Sequence, residues 1–591
     1  MADVIFKKVD YSLRKLVEDI EIGEIGLPDI QRPFVWPASK VRDLFDSMYR
    51  GFPIGYFLFW ENGYNGEHRT IGLNGKQKVP RLLIVDGQQR LTSLYAVIKG
   101  AKVIGKDFRS YGLRIAFNPL EEKFEVTNPA IEKDVNWISD ISELWKPTTS
   151  TYSFISSFLE RVKERRSVQG DEEAMIAERI GRLEKLLDYP LTALEVSSSV
   201  DEDQVAEIFV RINSKGTPLN QADFILTLMS VFWDDGRAEL EEFCRLAKKP
   251  PQDSRPTPFN HYLRPNPDQL LRVSVALGFR RARLEYVYSL LRGKDLQTKQ
   301  FSVEQRERQF ELLRRAQEYA LGLHNWHDFF KVIRSAGYPS DRIISSQNTL
   351  LYTYALWLIG KRDFRVDNYE LRKLMARWFF MAALTGRYTD SPEARMEQDM
   401  AILREMNTPE EFIEALNRQI DVVLTNDFWE VTLPNQLETA AALNTGQFAF
   451  YAALCILNAK VLYSNMKVEE LLDPTVMSSK AALERHHLFP RGYLKAIGID
   501  DRRLVNQVAN FDLVEWSDNI DISNKPPKDY VQVMENRFQP GELAQMYELH
   551  ALPERWYEME YREFLEERRK RMARVIRKGY MRLVSPDVND P

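Results

Sequence analysis

Two adjacent histidines, His486 and His487, are the residues of this chain whose type and spacing best fit catalysis. They stand side by side in a chain of 591 residues that contains only seven histidines. At the end of a strand, successive side chains point to opposite faces. One imidazole can then ligate a metal ion while its neighbour takes a proton from water near neutral pH. The pair therefore indicates metal-assisted hydrolysis, although adjacent histidines also occur on plain protein surfaces.

Polar residues that could complete such a site follow the pair in sequence. Asn510 lies in an apolar, strand-like run, and Asn519, Asn524 and Lys525 follow in a polar run. No Cys-x-x-Cys pairs surround these residues, so a structural zinc site is not predicted. The other five histidines have no comparable surroundings in the sequence, and we interpret them as structural.

A second group of polar residues follows a buried-strand pattern near residue 85. The chain turns sharply at Asp86-Gly87 into a helix that begins with Gln88, Gln89 and Arg90. Such a turn exposes the first backbone amides of the helix, which together with an arginine can hold an anion. The phosphates of a nucleotide are the most natural anion, but this kind of junction is also a common structural turn.

Two further runs in the first 230 residues place polar side chains at element boundaries. Gln31 and Arg32 lie between prolines that hold the backbone extended, and Arg211 and Asn213 lie at the end of a predicted helix. The chain has no Gly-x-x-x-x-Gly-Lys-Ser run, which argues against a P-loop enzyme.

These runs, taken in order and together with Phe52-Pro53-Ile54-Gly55, resemble the N-terminal domain of GmrSD-type modification-dependent restriction proteins, which is similar to the ParB nucleotide-binding fold. The resemblance implies binding and hydrolysis of a nucleoside triphosphate. In that interpretation Arg90 and Arg32 contact phosphate, and Asp86 contacts a metal ion or water. The implied nucleotide-binding residues are Gln31, Arg32, Asp86, Gly87, Gln88, Gln89, Arg90, Arg211 and Asn213.

The histidine pair and the asparagines that follow it resemble an HNH, or ββα-metal, nuclease of the kind fused to the same N-terminal domain in the GmrSD group, including its BREX-associated BrxU members. The resemblance implies that His487 is the general base and that Asn510 orients its loop. The implied catalytic residues are His487, Asn510 and Lys525, and the implied metal ligands are His486 and Asn519. Asn524 is close enough to compete with Asn519, and an amide ligand favours Mg²⁺ or Mn²⁺ over zinc.

The elements that must position these residues form a helix-rich α+β pattern. Apolar periodicity predicts a helix over residues 13–20, strands over 56–60, 81–85 and 113–117, and mostly helices over 151–187 and 205–424. We expect three domains: a ParB-like nucleotide-binding domain (1–230), a helical middle domain (231–430) and an HNH nuclease domain (431–591).

Composition restricts the class of protein. Hydrophobic residues make up 44% and charged residues 28% of the chain, as in soluble globular proteins. The two cysteines, Cys244 and Cys455, lie far apart, so we expect a reducing, cytoplasmic location without disulfides. No stretch reaches the roughly 18 apolar residues of a membrane span, so no membrane partner is expected.

The net charge of −5 conceals a basic segment near the C-terminus. From Arg568 to Lys578, seven of eleven residues are basic and none is acidic. Apolar residues at helical spacing predict a helix here, with the basic side chains mostly on its remaining face. Two interpretations stay open, a solvated helix face and a contact with the phosphate backbone of a nucleic acid.

The leading hypothesis from sequence is a nucleoside-triphosphate-stimulated endonuclease that cuts modified double-stranded DNA of phages. A single nuclease site per chain makes a homodimer attractive for cutting both strands. One alternative is a nucleotide-switched DNA-binding regulator with a vestigial nuclease, and another is an RNA-directed nuclease.

Overall fold

The computed structural model describes residues 4–26, 36–61, 80–104, 110–200, 204, 208, 221–251, 254–294, 302–441, 443–475, 485–515, 522 and 524–585. It divides the chain into two compact units, Met1–Asp235 and Gly236–Pro591. The three-domain division, with boundaries after residues 230 and 430, stays a prediction.

The N-terminal unit is built on a mixed five-stranded sheet with the order β1-β9-β3-β4-β2. Strand β1 runs antiparallel to β9 and β3 runs antiparallel to β4, whereas β9 and β3 are parallel, as are β2 and β4. Two separate hairpins pair β5 with β6 and β7 with β8. The strands are β1 (Phe6–Ser12), β2 (Ile25–Gly26), β3 (Phe57–Glu61), β4 (Leu82–Asp86), β5 (Lys102–Ile104), β6 (Ser110–Gly112), β7 (Ile115–Asn118), β8 (Lys123–Val126) and β9 (Pro190–Val196).

Helices cover the sheet and close the core of this unit. The first helix begins where the Ser12 hydroxyl accepts a hydrogen bond from the Lys15 N–H at 3.2 Å, a typical N-cap. Phe57 and Phe59 on β3 are fully buried, as are Leu91 and Leu94 on α3. The helices are α1 (Leu13–Glu21), α2 (Ala38–Tyr49), α3 (Gln88–Lys99), α4 (Thr151–Lys163), α5 (Gly170–Glu184) and α6 (Gln221–Phe232).

The local predictions for this unit are confirmed to within a residue or two. The predicted helix 13–20 is α1, and the predicted strands 56–60, 81–85 and 113–117 are β3, β4 and β7. The turn at Gly87, whose φ is 91°, starts α3 where the sequence predicts it.

The C-terminal unit is almost entirely helical. Its longest helix, α23, packs against α17, and Gly579 permits close contact because a Cβ atom there would lie 2.6 Å from the Ala453 Cβ. Helix α7 begins at the boundary between the units. The helices are α7 (Asp234–Ala247), α8 (Pro267–Phe279), α9 (Leu284–Leu291), α10 (Val303–Leu321), α11 (Leu323–Ser335), α12 (Gln347–Arg362), α13 (Asn368–Thr385), α14 (Pro392–Leu403), α15 (Pro409–Val423), α16 (Leu433–Gln436), α17 (Thr445–Ile456), α18 (Val468–Leu472), α19 (Arg491–Ala496), α20 (Arg502–Val505), α21 (Pro527–Glu535), α22 (Pro540–Leu549) and α23 (Tyr561–Val584).

One two-stranded antiparallel sheet interrupts these helices and carries the histidine pair. Strand β10 (Arg485–His487) pairs with β11 (Phe511–Leu513), so that His486 lies opposite Asp512 and His487 opposite Phe511. Helix α21 follows β11 in the chain. The molecule is thus mixed α+β and helix-rich, as predicted, whereas the ParB-like and ββα-metal assignments stay predictions.

Of the helices in the part of the chain that the structure describes, none is long and apolar enough to cross a membrane.

Candidate functional site

Strand β10 separates the two histidines into different surroundings. His486 is buried, and its ring lies edge-on to Tyr530 of α21 with the ring centroids 6.0 Å apart. His487 is half-buried and its ring contacts Phe511 with the centroids 4.3 Å apart. The alternation along the strand therefore gives the pair one buried member and one accessible member, as reasoning from the strand geometry predicts.

Asn506 fixes one nitrogen of the His487 ring. Its Oδ1 atom lies 3.1 Å from His487 Nε2. An amide oxygen only accepts hydrogen bonds, so the tautomer that fits this contact carries its proton on Nε2 and its lone pair on Nδ1. In this tautomer Nδ1 is the nitrogen of His487 that can take a proton.

Asn510 ties the segment after His487 to the chain before β11. Its Oδ1 accepts the Phe489 N–H at 2.9 Å, and its Nδ2 donates to the carbonyls of Phe489 at 3.1 Å and Val505 at 2.9 Å. The side chain is fully buried. Three hydrogen bonds from one buried amide hold the turn after His487 against the turn that carries Asn506.

Beside the histidine strand lies a buried triad of Asp512, Arg568 and His550. Asp512 Oδ2 accepts from Arg568 Nη2 at 2.6 Å, and Asp512 Oδ1 lies 2.8 Å from His550 Nδ1. All three side chains are fully buried. His550 Nε2 lies 2.8 Å from the Lys460 carbonyl, so each ring nitrogen lies within hydrogen-bond distance of an oxygen atom.

Arg568 extends this triad to the backbone of the site. Its Nη1 donates to the carbonyls of Ala509 at 2.7 Å and Phe511 at 2.8 Å, on either side of Asn510. Burial lowers the pKa of Arg568, and the Asp512 carboxylate partly offsets this shift. Burial alone would raise the pKa of Asp512, but His550 and Arg568 outweigh it and hold that pKa below its ordinary value. The triad thus fixes β11 through the ion pair of Asp512 with Arg568 and the hydrogen bonds around it.

The predicted metal site is only partly within the described residues. His486 supplies one imidazole, and Asn519 lies outside the described residues. The Asn524 Oδ1 accepts the Gly492 N–H at 3.2 Å at the start of α19, and Lys525 is exposed. Across the described ranges no group of three or more His, Cys, Asp or Glu side chains could hold a metal ion. The described residues alone therefore do not make a complete cation site.

The candidate nucleotide site lies at the start of α3. Gly87 adopts a left-handed conformation, and Asp86, Gln88 and Gln89 are half-buried around it. No side chain caps the start of this helix. Backbone N–H groups at the start of a helix suit an anion, so the first turn of α3 is the candidate anion site. The other four predicted residues, Gln31, Arg32, Arg211 and Asn213, lie outside the described residues.

Arg90 joins this turn to the Phe52-Pro53-Ile54-Gly55 run. Its Nη1 donates to the Ile54 carbonyl at 2.6 Å and its Nη2 to the Tyr56 carbonyl at 2.8 Å, while Asp86 Oδ2 is 3.4 Å from Nη2. Gly55 has a φ of +89°, and a Cβ atom there would lie 2.4 Å from Arg90 Nη1. Burial lowers the pKa of Arg90. The guanidinium therefore holds the backbone before β3, a role that the sequence interpretation did not include.

The basic segment of α23 is largely neutralised inside the C-terminal unit. Arg568 is committed to the buried triad, and Arg574 is exposed. Five other basic residues have carboxylate partners: Arg569 with Glu438, Lys570 with Glu566, Arg571 with Glu567, Arg577 with Glu430 and Lys578 with Glu548. A contact between this helix and nucleic-acid phosphate stays a prediction. Among the described residues, most of the positive charge of the helix is already paired with carboxylates.

Sequence reasoning missed four residues of the site, Asn506, Asp512, His550 and Arg568. Asp512 carried a signal, because a carboxylate within the apolar run from Phe511 to Val514 needs a buried partner. Asn506 and His550 carried no such signal, since both depend on contacts between segments far apart in the chain.

Comparisons with known proteins agree with the N-terminal resemblance. Residues 13–230 match the family model described as the N-terminal domain of GmrSD restriction endonucleases. An uncharacterized protein of Methanocaldococcus jannaschii is 22% identical to this chain over 560 residues, which cover 88% of this chain and 86% of the relative. The likeness to that relative thus extends far beyond the N-terminal domain.

Proposed function

We propose that this protein is a nucleoside-triphosphate-stimulated, divalent-metal-dependent endonuclease that cleaves modified double-stranded DNA of phages, as a type IV restriction enzyme of the GmrSD group with BrxU-like organisation. The observation that carries the proposal is the strand with two histidines, one accessible and held by Asn506, in a chain whose residues 13–230 match a GmrSD N-terminal domain. We place the protein in the cytoplasm and expect a homodimer.

In the proposed reaction, water attacks the phosphorus atom while His487 Nδ1 takes its proton, and the bond to the leaving oxygen breaks. Asn506 orients the ring, and Asn510 keeps the turn beyond it in place. A divalent ion, Mg²⁺ or Mn²⁺, would neutralise charge on the phosphate, with His486 and Asn519 as proposed ligands. Lys525 is proposed to contact phosphate.

In the N-terminal unit, the proposed nucleotide site uses the start of α3. The backbone N–H groups of the first turn after Gly87 suit the phosphates, with the side chains of Gln88 and Gln89 beside them. Arg90 supports this site by holding the Ile54–Tyr56 backbone in addition to any charge it offers. Hydrolysis of the nucleotide is proposed to control cleavage.

The decisive experiment is a cleavage panel with the full chain. Unmodified, methylated, hydroxymethylated, glucosylated and phosphorothioated DNA are each incubated with Mg²⁺ or Mn²⁺, with and without a nucleoside triphosphate. We expect cleavage of at least one modified substrate and a loss of about 10²–10⁴-fold in rate for His487→Ala, the usual contribution of a general base. Nucleotide hydrolysis should persist in this variant.

Three outcomes would contradict the proposal in different ways. Full cleavage by His487→Ala would remove that residue from catalysis. Nucleotide-dependent DNA binding without cleavage by the wild type would favour the regulatory protein with a vestigial nuclease. Cleavage of RNA but of no DNA would favour the RNA-directed nuclease.

A further inference from the structure

A group of exposed cations lies on the segments that adjoin His487, and none of them has an ion-pair partner in the part of the chain that the structure describes. All lie on or beside α19, α20 and the start of α21, and we call them the basic rim. The basic rim consists of Arg491, Lys495, Arg502, Arg503, Lys525 and Lys528.

Two hydrogen bonds bring the halves of the basic rim to the histidine. Asn524 Oδ1 accepts the Gly492 N–H at 3.2 Å, and a Cβ atom at Gly492 would lie 2.5 Å from that oxygen. The segment with Lys525 therefore lies against the start of α19. Asn506, which follows directly after α20, contacts His487 Nε2 at 3.1 Å. The segments that carry the cations are therefore held against the histidine and against the helix that follows it.

Few carboxylates oppose this charge. The two segments that carry the basic rim, 491–503 and 524–529, contain Asp500, Asp501 and Asp529 as their only acidic residues. Asp501 already accepts the Arg503 N–H at 2.8 Å as the cap of α20. These two segments thus keep a positive excess, in contrast to α23, where carboxylates neutralise most of the cations.

We propose that the basic rim binds the phosphodiester backbone of duplex DNA beside His487, and that the basic segment of α23 does not. The inference rests on the proposed nuclease function and names the surface that holds its substrate. Exposed, unpaired cations of a protein displace the counterions that are condensed on DNA phosphates. Cations that are already paired with carboxylates displace fewer of these counterions. Phosphate contacts carry no sequence information, so this surface positions DNA without choosing its modification.

The test compares two variants of the full chain with equal loss of charge. The rim variant combines Arg491→Gln, Arg502→Gln and Lys528→Gln. The control variant combines Lys570→Gln, Arg571→Gln and Lys578→Gln on α23. Binding of a fluorescent DNA duplex is followed by anisotropy over a series of salt concentrations, with EDTA present and nucleotide absent. Unfolding midpoints establish that both variants are folded.

For the rim variant we expect the slope of log affinity against log salt to fall by about 2.7, since each phosphate contact contributes about 0.9. At about 0.15 M salt this corresponds to binding weakened on the order of 100-fold. The control variant should keep the wild-type slope. Wild-type binding by the rim variant, or equal weakening in both variants, would overturn the inference.

Two further readouts separate this inference from the proposed function. If the rim variant binds DNA more weakly but the wild type does not cleave it, DNA binding by the basic rim is supported and the proposed nuclease function is rejected. An RNA duplex serves as the second probe, and binding of RNA but not DNA through the rim would overturn the choice of DNA as partner. Absence of any duplex binding by the wild type would overturn both proposals.

Discussion

The buried triad makes Asp512→Asn a sharp test of how the site is held. The substitution keeps the shape of the side chain but removes the charge between Arg568 and His550. One carboxylate oxygen becomes an amide NH₂ group, and the two oxygens of Asp512 now lie 2.6 Å from Arg568 Nη2 and 2.8 Å from His550 Nδ1. Leaving a buried cation without its partner costs about 3–5 kcal/mol.

The structure places Asp512→Asn near the lower end of that range. Arg568 Nη1 retains the carbonyls of Ala509 and Phe511, and the asparagine keeps one acceptor. We therefore expect a loss of about 3 kcal/mol. For the roughly 350 residues of the C-terminal unit, at about 2.1 cal/mol/K per residue, that loss lowers the unfolding temperature by about 4 °C.

Urea unfolding of the full chain, monitored by tryptophan fluorescence, measures the loss in free energy of unfolding. Calorimetry measures the fall in unfolding temperature. The matched control is Glu566→Gln, which removes the exposed 2.8 Å pair with Lys570 and should leave the midpoint unchanged. On the Asp512→Asn background, Arg568→Met removes the orphaned cation, so the double variant should be more stable than the sum of the single losses indicates. An Asp512→Asn midpoint equal to that of the control would refute the reasoning.

Two other predictions concern a glycine and a carboxylate. Gly55→Ala should destabilise the N-terminal unit by more than Gly51→Ala. Both glycines have positive φ, a conformation that costs an alanine roughly 1–2 kcal/mol, but only at Gly55 would the added Cβ atom also meet Arg90 Nη1. Equal unfolding midpoints for the two variants would contradict this prediction. Glu397 is half-buried, and this partial burial raises its pKa, but two backbone N–H groups and two arginines outweigh that effect and lower the pKa. Its stabilisation is therefore present above the unfolded pKa of about 4.3 and lost as pH falls through the folded pKa. The difference in unfolding midpoint between wild type and Glu397→Gln should shrink on acidification, and a constant difference would contradict this.

Much of the local structure could be predicted because it depends on neighbours in sequence. The helix at 13–20, the Gly87 turn and the short apolar runs of β3 and β4 each depend on neighbours within a few residues, and each of these was predicted and found. The pairing of β9 with β1 and β3 could not be predicted, because it joins segments more than a hundred residues apart. Pattern alone contains no information about which distant strand completes a sheet.

The same limit explains which parts of the candidate site were missed. The histidine pair stands out in sequence because its residues are adjacent and rare. The hydrogen bond between Asp512 and Arg568 joins residues 56 positions apart in sequence, and the one between Arg90 and Ile54 joins residues 36 positions apart. The structure gives a reason why the Phe-Pro-Ile-Gly run and the Asp-Gly-Gln-Gln-Arg turn occur together, since the arginine of one binds the backbone of the other.

The basic residues illustrate the limit most directly. Counting cations along the sequence selects α23, where seven of eleven consecutive residues are basic. The fold brings Glu430, Glu438 and Glu548 from other segments against that helix. The basic rim is inconspicuous in sequence because its cations are spread over two segments and mixed with aspartates. Since binding of a polyanion depends on charge that remains unpaired, the surface beside His487 is a better candidate for DNA than the most basic stretch of the chain.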